Sequence, residues 1–459
     1  MLDFSLAPRK DEMVEALCHI LSIKSVKSAP QGNMPYGKGV FDVLIKTLNL
    51  AEKLDFDSVN FFSNLGYVEY GDGDELFAIV THLDVVPAGE GWTVPPFAGT
   101  VKDGRVYGRG AIDDKGPAIA ALFALSAIKE NCISLNKRVR LIFGCDEESG
   151  WSDMDFYKKN GGEIPQMAIS PDAEFPIINA EKGLLQLKAV KSAYAAAGEG
   201  LVIKSLNAGE RVNVVPSVCT CEIEGNVTAL SQMVDIFNED SPVKLKSEGN
   251  THSMKLIAQG VSAHGSKPAE GVNALSHMIL FLNTLPLIKN AISDAVYEIA
   301  EFIGIQTDGT HLGIASEDES GALTLNLGYF KTTDAGVEAG IDIRYPIHAE
   351  KEKILDAIRV RMKELAVEEV FSRPPHFVSE DSPLIAGLKQ AYEEVTGEPA
   401  YCMNMGGATY ARTFPNSVAF GALFPGQIGT EHQADEYIDI DSLVKTADII
   451  ANAVVVLCK

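Results

Sequence analysis

Acidic residues and histidines recur in this chain where short apolar runs end. Residues 76–80 run into Thr81-His82-Leu83-Asp84, residues 139–143 approach Asp146-Glu147-Glu148, and residues 167–169 run into Ser170-Pro171-Asp172. Between the first two lies a glycine-flanked stretch, Tyr107-Gly108-Arg109-Gly110-Ala111-Ile112-Asp113-Asp114-Lys115-Gly116, and a late loop carries His432. Imidazole and carboxylate are ligands for divalent cations. Each group also has a bland explanation. A lone histidine is most often structural, and Glu147-Glu148 suits a solvated turn. Asp113-Asp114 suits the N-terminus of a following helix, Asp172 suits a turn after Pro171, and Arg109 and Lys115 could simply pair with these acids. Several acidic tips on one sheet edge are a different matter, because they repel one another strongly unless cations sit between them.

The elements that must position these residues have an α/β texture. Apolar strand-like runs at 76–80, 139–143 and 167–169 alternate with helical periodicity at 40–54 and 117–129. In open α/β sheets ligands bind beyond the carboxyl ends of the strands, where the acids and histidines fall. The middle of the chain changes character, with an Ala/Gly-rich loop at 195–200, a helix at 272–285 and a strand at 322–329. The end returns to α/β texture, with a helix at 384–395 and a strand at 417–421. The expected organisation is a domain in two sequence pieces, residues 1–182 and 377–459, interrupted by an inserted α+β lid at 183–376. The expected fold class is α/β, a mainly parallel central sheet flanked by helices. No internal repeat or low-complexity tract interrupts the pattern.

Composition narrows the function. The 459 residues are 46% hydrophobic, enough for more than one core. A formal charge of −24 argues against nucleic acid or an anionic membrane as partner. No apolar run is long enough to span a bilayer, and residues 1–10 lack the apolar segment of a secretory signal. Seven cysteines, odd in number and without a Cys-x-x-Cys pair, fit reduced thiols in a cytoplasmic protein and argue against a thiolate zinc site.

Taken in order, His82-x-Asp84, Gly-Arg-Gly-x-x-Asp113-Asp-Lys-Gly, Asp-Glu147-Glu148, Pro-Asp172-Ala-Glu and the late His432 resemble the di-metal family of carboxypeptidase G, aminoacylase and dipeptidases. Ser-Pro-Asp-Ala-Glu-Phe-Pro and the long insertion resemble its bacterial dipeptidase V group, carnosinase-like Xaa-His dipeptidases. The resemblance covers nearly the whole chain and implies a zinc-peptidase-like catalytic domain. It implies one cation on His82, Asp113 and Asp172, and a second on Asp113, Glu148 and His432. Asp84 would orient the His82 ring, and Glu147 would act as general base. The peptide bond Asp113–Asp114 would be cis. His264, in Val261-Ser262-Ala263-His264-Gly265, would donate to the oxyanion. Asn213 and Arg344 would touch substrate from the lid, and Gly406, Gly407 and Thr409 would receive its carboxylate.

Two divalent cations per chain follow from that assignment, zinc being the usual metal for mixed His/carboxylate sites and manganese or cobalt the alternatives. The expected substrates are small unblocked dipeptides. The alternative is an N-acyl-amino-acid or succinyl-diaminopimelate-type deacylase, which would use the same ligands. A binding protein on a decayed peptidase scaffold fits poorly, since all the ligands and Glu147 are present. The long insertion suggests a monomer in which a second lid lobe takes the place of a partner subunit.

Overall fold

The computed structural model describes residues 5–196 and 198–459. Residues 1–4, part of the expected signal-free start, and Ala197, within the Ala/Gly-rich loop, lie outside the described residues. The chain forms two compact units. The first comprises Met1–Ala180, Phe377–Met403 and Ala408–Lys459, and the second Glu181–His376 with Asn404–Gly407.

At the centre of the first unit is the strand Leu76–His82, buried at every residue. A strand covered on both faces must be apolar throughout, which explains the continuous run Leu-Phe-Ala-Ile-Val. It pairs in parallel with Arg138–Gly144 on one side and Met167–Ser170 on the other. Ser417–Ala419 continues the parallel set beside Met167–Ser170. The margins are antiparallel: Leu65–Tyr70 against Arg138–Gly144, Ser58–Phe61 beyond it, and Ile177–Glu181 against Ser417–Ala419. The sheet is therefore mixed, with the expected parallel order in its four central strands.

The helices follow from their apolar faces. Lys38–Lys53 buries Val40, Val43, Leu44, Thr47, Leu48 and Ala51, a single stripe at helical spacing. Lys115–Glu130 is buried almost all round, because it is packed by Lys10–Leu21, Ile440–Cys458 and the central strand. Its alanines at 118, 120, 121, 124 and 127 let those neighbours approach closely.

The second unit holds an eight-stranded sheet, antiparallel in every pairing. Val218–Glu224 and Ser253–Gln259 alternate buried and exposed residues, the pattern of a sheet covered on one face. The helices Ala274–Asn283 and Ala291–Phe302 cover it. Its two four-stranded halves join where Ala208, in Val202–Ala208, meets Phe330, in Thr324–Thr333. The helix expected at 272–285 begins only at Ala274, because the Asn273 side chain accepts the N–H of Ser276 and caps it. The strand expected at 322–329 runs Thr324–Thr333, while Gly321–Ala322 pairs separately with Glu317–Asp318.

All seven cysteines are free thiols. Among the described residues, no helix is long and apolar enough to cross a membrane.

Candidate metal centre

His82 is the last residue of the central strand, and Asp172 follows two residues after Met167–Ser170. The parallel register therefore delivers both to the carboxyl edge of the sheet. His82 Nε2 lies 2.9 Å from Asp113 Oδ1 and 3.6 Å from Asp172 Oδ2. On the other side of Asp113, Oδ2 lies 3.1 Å from His432 Nε2, which is also 3.1 Å from Glu148 Oε2. Asp113 thus faces a histidine with each oxygen. Two sets of donor atoms result, His82–Asp113–Asp172 and Asp113–Glu148–His432, each with its atoms within 4.8 Å of one another.

The chemistry of this donor set and of the groups around it suits divalent cations. His82 Nε2 is buried without an aligned hydrogen bond, as is Glu147 Oε1. Burial, and then the charge of Asp172, push the Glu147 carboxyl well above its ordinary range. Burial and Asp113 likewise push Asp172 up to about 7. Carboxylates this crowded do not all ionise comfortably without positive charge among them. Asp113 is the exception. Against the cost of its own burial, His432 and His82 hold it well below the carboxylate range.

Neighbouring groups fix the ligand atoms. His82 Nδ1 sits 2.9 Å from the backbone carbonyl of Asp84, a contact that places the proton on Nδ1 and leaves the Nε2 lone pair for a cation. The Asp84 carboxylate is farther from that nitrogen, at 3.5 Å. It accepts the backbone N–H groups of Glu147 and Glu148, each at 3.1 Å. The Asp84 main chain therefore makes the nearer contact with the His82 ring, while its side chain holds the acidic loop. Asp114 Oδ2 accepts the N–H of His82, and the Asp113–Asp114 bond is cis.

Several supporting contacts lay beyond the sequence reading. Asp146 is paired with Lys27 at 2.5 Å and accepts from Ser152. Asp153 accepts the N–H of Cys145 and the hydroxyl of Tyr410, whose ring stands edge-on to His82. Glu436, buried, pairs with Arg109 at 2.6 Å. The only local signal for Glu436 was its place four residues after His432. Lys115 does not pair with an acid. Its ammonium donates to the carbonyls of Ile20 and Ile23, and burial pushes its pKa down to about 7.

The second unit gathers most of the expected substrate residues. Gly265 N donates to the carbonyl of Asn213 at 2.7 Å, and Val214 bridges His264. His264 Nδ1 accepts the N–H of Ser266 and lies 2.7 Å from its hydroxyl, a contact that in a neutral ring puts the proton on Nε2. Arg344 donates from Nε to Asp342 at 2.9 Å and from Nη1 to the carbonyl of Gly406 at 2.7 Å. Gly406 and Gly407 belong to this unit and Thr409 to the first. Thr409 is buried, and its hydroxyl accepts the N–H of Ala411. A further group, Asp318, Glu319 and His348, is held in its own turn, with Asp318 accepting from Ser320 and from the N–H of His348.

Comparison with known proteins places the site in context. Residues 78–455 match the description Peptidase family M20/M25/M40. A Bacillus subtilis protein with a provisional dipeptidase name, YtjP, is 38% identical over 460 residues, covering 98% of each chain. The Beta-Ala-Xaa dipeptidase of Lactobacillus delbrueckii subsp. lactis is 32% identical over 458 residues, covering 98% of this chain and 97% of the relative. Among solved structures, human carnosine dipeptidase 1 shares the fold with a TM-score of 0.59 at 16% identity, covering 98% of each chain.

Proposed function

The chain belongs to peptidase family M20/M25/M40, and we propose that it works as a metal-dependent dipeptidase on small unblocked dipeptides, Xaa-His and β-alanyl ones included. The observation that carries this reading is Asp113, with one oxygen facing His82 and the other facing His432. A carboxylate so placed suits a bridge between two cations. The proposed ligands are His82, Asp113 and Asp172 for one, and Asp113, Glu148 and His432 for the other. Zinc fits the mixed imidazole and carboxylate set, with manganese or cobalt as alternatives. When bound, the cations supply Lewis acidity that acidifies a water and polarises the scissile carbonyl.

The remaining work falls to the protein. Glu147 stands outside both ligand sets with a buried, unpartnered Oε1. It takes a proton from the attacking water and passes it to the leaving amine. Asp84 keeps Glu147 and Glu148 in place through their N–H groups. His264 donates from Nε2 to the developing oxyanion, a role assigned from its motif and favoured by its tautomer. Arg344, held by Asp342, and the Gly406-Gly407 turn, with Asn213 and Thr409, are assigned to the substrate and its carboxylate on the same grounds.

The free thiols favour a cytoplasmic setting, and the length of the inserted unit favours a monomer. The deciding experiment is turnover with added Zn²⁺ or Mn²⁺ against free dipeptides and N-acyl amino acids. Hydrolysis of free dipeptides is expected. Activity confined to N-acyl amino acids would make the chain a deacylase, and no hydrolysis of either would leave it a binding protein.

A further inference from the structure

Residues 108–114, the loop that carries Asp113, lie outside every helix and strand. Four of their backbone N–H groups converge instead on Glu436. Its Oε1 accepts from Gly110 at 3.0 Å, Ile112 at 3.1 Å and Asp113 at 3.3 Å. Its Oε2 accepts from Arg109 Nη1 at 2.6 Å, and its own carbonyl accepts the N–H of Gly108 at 2.9 Å. Both partners of the ion pair are buried, at 1% and 0% exposure, in a place where a charge is held only by full pairing. Just beyond Glu436, the strand Tyr437–Asp439 pairs antiparallel with Arg105–Tyr107. Just before it comes His432.

We infer that Glu436 is a positioning residue that sets Asp113 and His432 at bridging distance before any cation arrives. The inference rests on the two-cation reading above. Asp113 lies on a loop outside every helix and strand, so its place beside His82 and His432 depends on how the loop's main chain is tied. Glu436 ties it at three amides and anchors the anchor with Arg109. A neutral glutamine cannot do the same, because it has one acceptor oxygen for two groups of donors. Whichever way the amide turns, its NH₂ confronts Arg109 or the loop, and buried donors are left unpaired.

The test is a Co²⁺ titration, followed by calorimetry and by the visible d–d spectrum, of wild type, Glu436→Gln and the exposed control Glu398→Gln. Glu436→Gln is expected to bind Co²⁺ about 10–100-fold more weakly with an altered spectrum, the range for groups that orient ligands. Glu398→Gln should match wild type. A merely structural role would lower melting temperature and leave the affinity alone, so an affinity within about twofold of wild type overturns the inference. Failure of wild type itself to take up Co²⁺ would bring down the two-cation reading instead. Should Glu436→Gln not fold, hydrogen exchange of the metal-free wild type decides. The Gly110 and Ile112 amides should exchange slowly, and exchange at free-loop rates overturns the inference.

Discussion

Asp84 Oδ1 accepts the backbone N–H of Glu147 at 3.1 Å, so the residue whose carbonyl steadies the His82 ring also holds Glu147. One short segment therefore connects the two sides of the metal centre. Its main chain meets the His82 ring and its side chain holds the acidic loop.

From this linkage, Asp84→Asn should disturb both sides at once. Asparagine keeps one acceptor where two N–H groups ask for two, so metal affinity should fall by about 10–100-fold. Asp113→Asn should do worse, since it removes the charge and one of the two oxygens of the residue shared by both donor sets. Metal content measured after dialysis would rank the variants. Two full equivalents retained by Asp113→Asn would refute the bridging assignment.

Glu147→Gln separates base from ligand. With the carboxylate gone and the side chain's shape kept, kcat should drop by about 10²–10⁴ while metal content stays near wild type. A metal-poor variant that regains activity when metal is added back would mean that Glu147 and Glu148 have exchanged roles.

His264 should act within its own chain. Mixing inactive His264→Ala with inactive Glu147→Gln is expected to restore nothing at any ratio, and light scattering should give a monomeric mass of about 49 kDa. Clear rescue would show that one chain supplies its histidine to another, and would end the monomer proposal.

The second unit offers a pH test away from the metal centre. Asp294, in the first turn of Ala291–Phe302, takes Lys191 at 2.6 Å and the Tyr194 hydroxyl at 2.7 Å. Although burial opposes ionisation, these partners lower its pKa below the usual aspartate value. A depressed acid stabilises the fold above its unfolded pKa, about 4, and loses that contribution as pH falls through the folded value. Asp294→Asn should therefore cost about 1.5–3 kcal/mol near neutrality, the range for a hydrogen bond to a charged group. The gap between variant and wild type in urea midpoint should narrow as pH drops below about 4. A gap that stays constant down to pH 2 would show that the charge of Asp294 does not matter.

Much of this site was legible in the chain because its signals are local. A buried parallel strand needs a continuous apolar run, and the residues just past that run occupy the ligand edge. His82, Asp172 and the approach to Glu147 could thus be placed without coordinates. The helix faces of Lys38–Lys53 and Lys115–Glu130 were equally readable, since periodicity reports which side is covered. Helix and strand ends were less so, because Asn273 moves a boundary through a single side-chain hydrogen bond.

The order and type of the candidate ligand motifs, then, were determined by the sequence itself, because side-chain chemistry and strand-end position are both written along the chain. Which atoms hold those ligands was decided only by tertiary structure. Arg109 and Glu436 stand 327 positions apart, and Tyr410 and Asp153 stand 257 apart. Strand order brings Ser417–Ala419 beside Met167–Ser170, and the antiparallel pairing of Tyr437–Asp439 with Arg105–Tyr107 draws Glu436 under the Asp113 loop. Asp84 had the same composition and spacing whether its carboxylate met a histidine or two backbone amides. Hydrogen bonds are satisfied by whatever donor lies within about 3 Å, and that distance is set by register and packing, which periodicity does not encode.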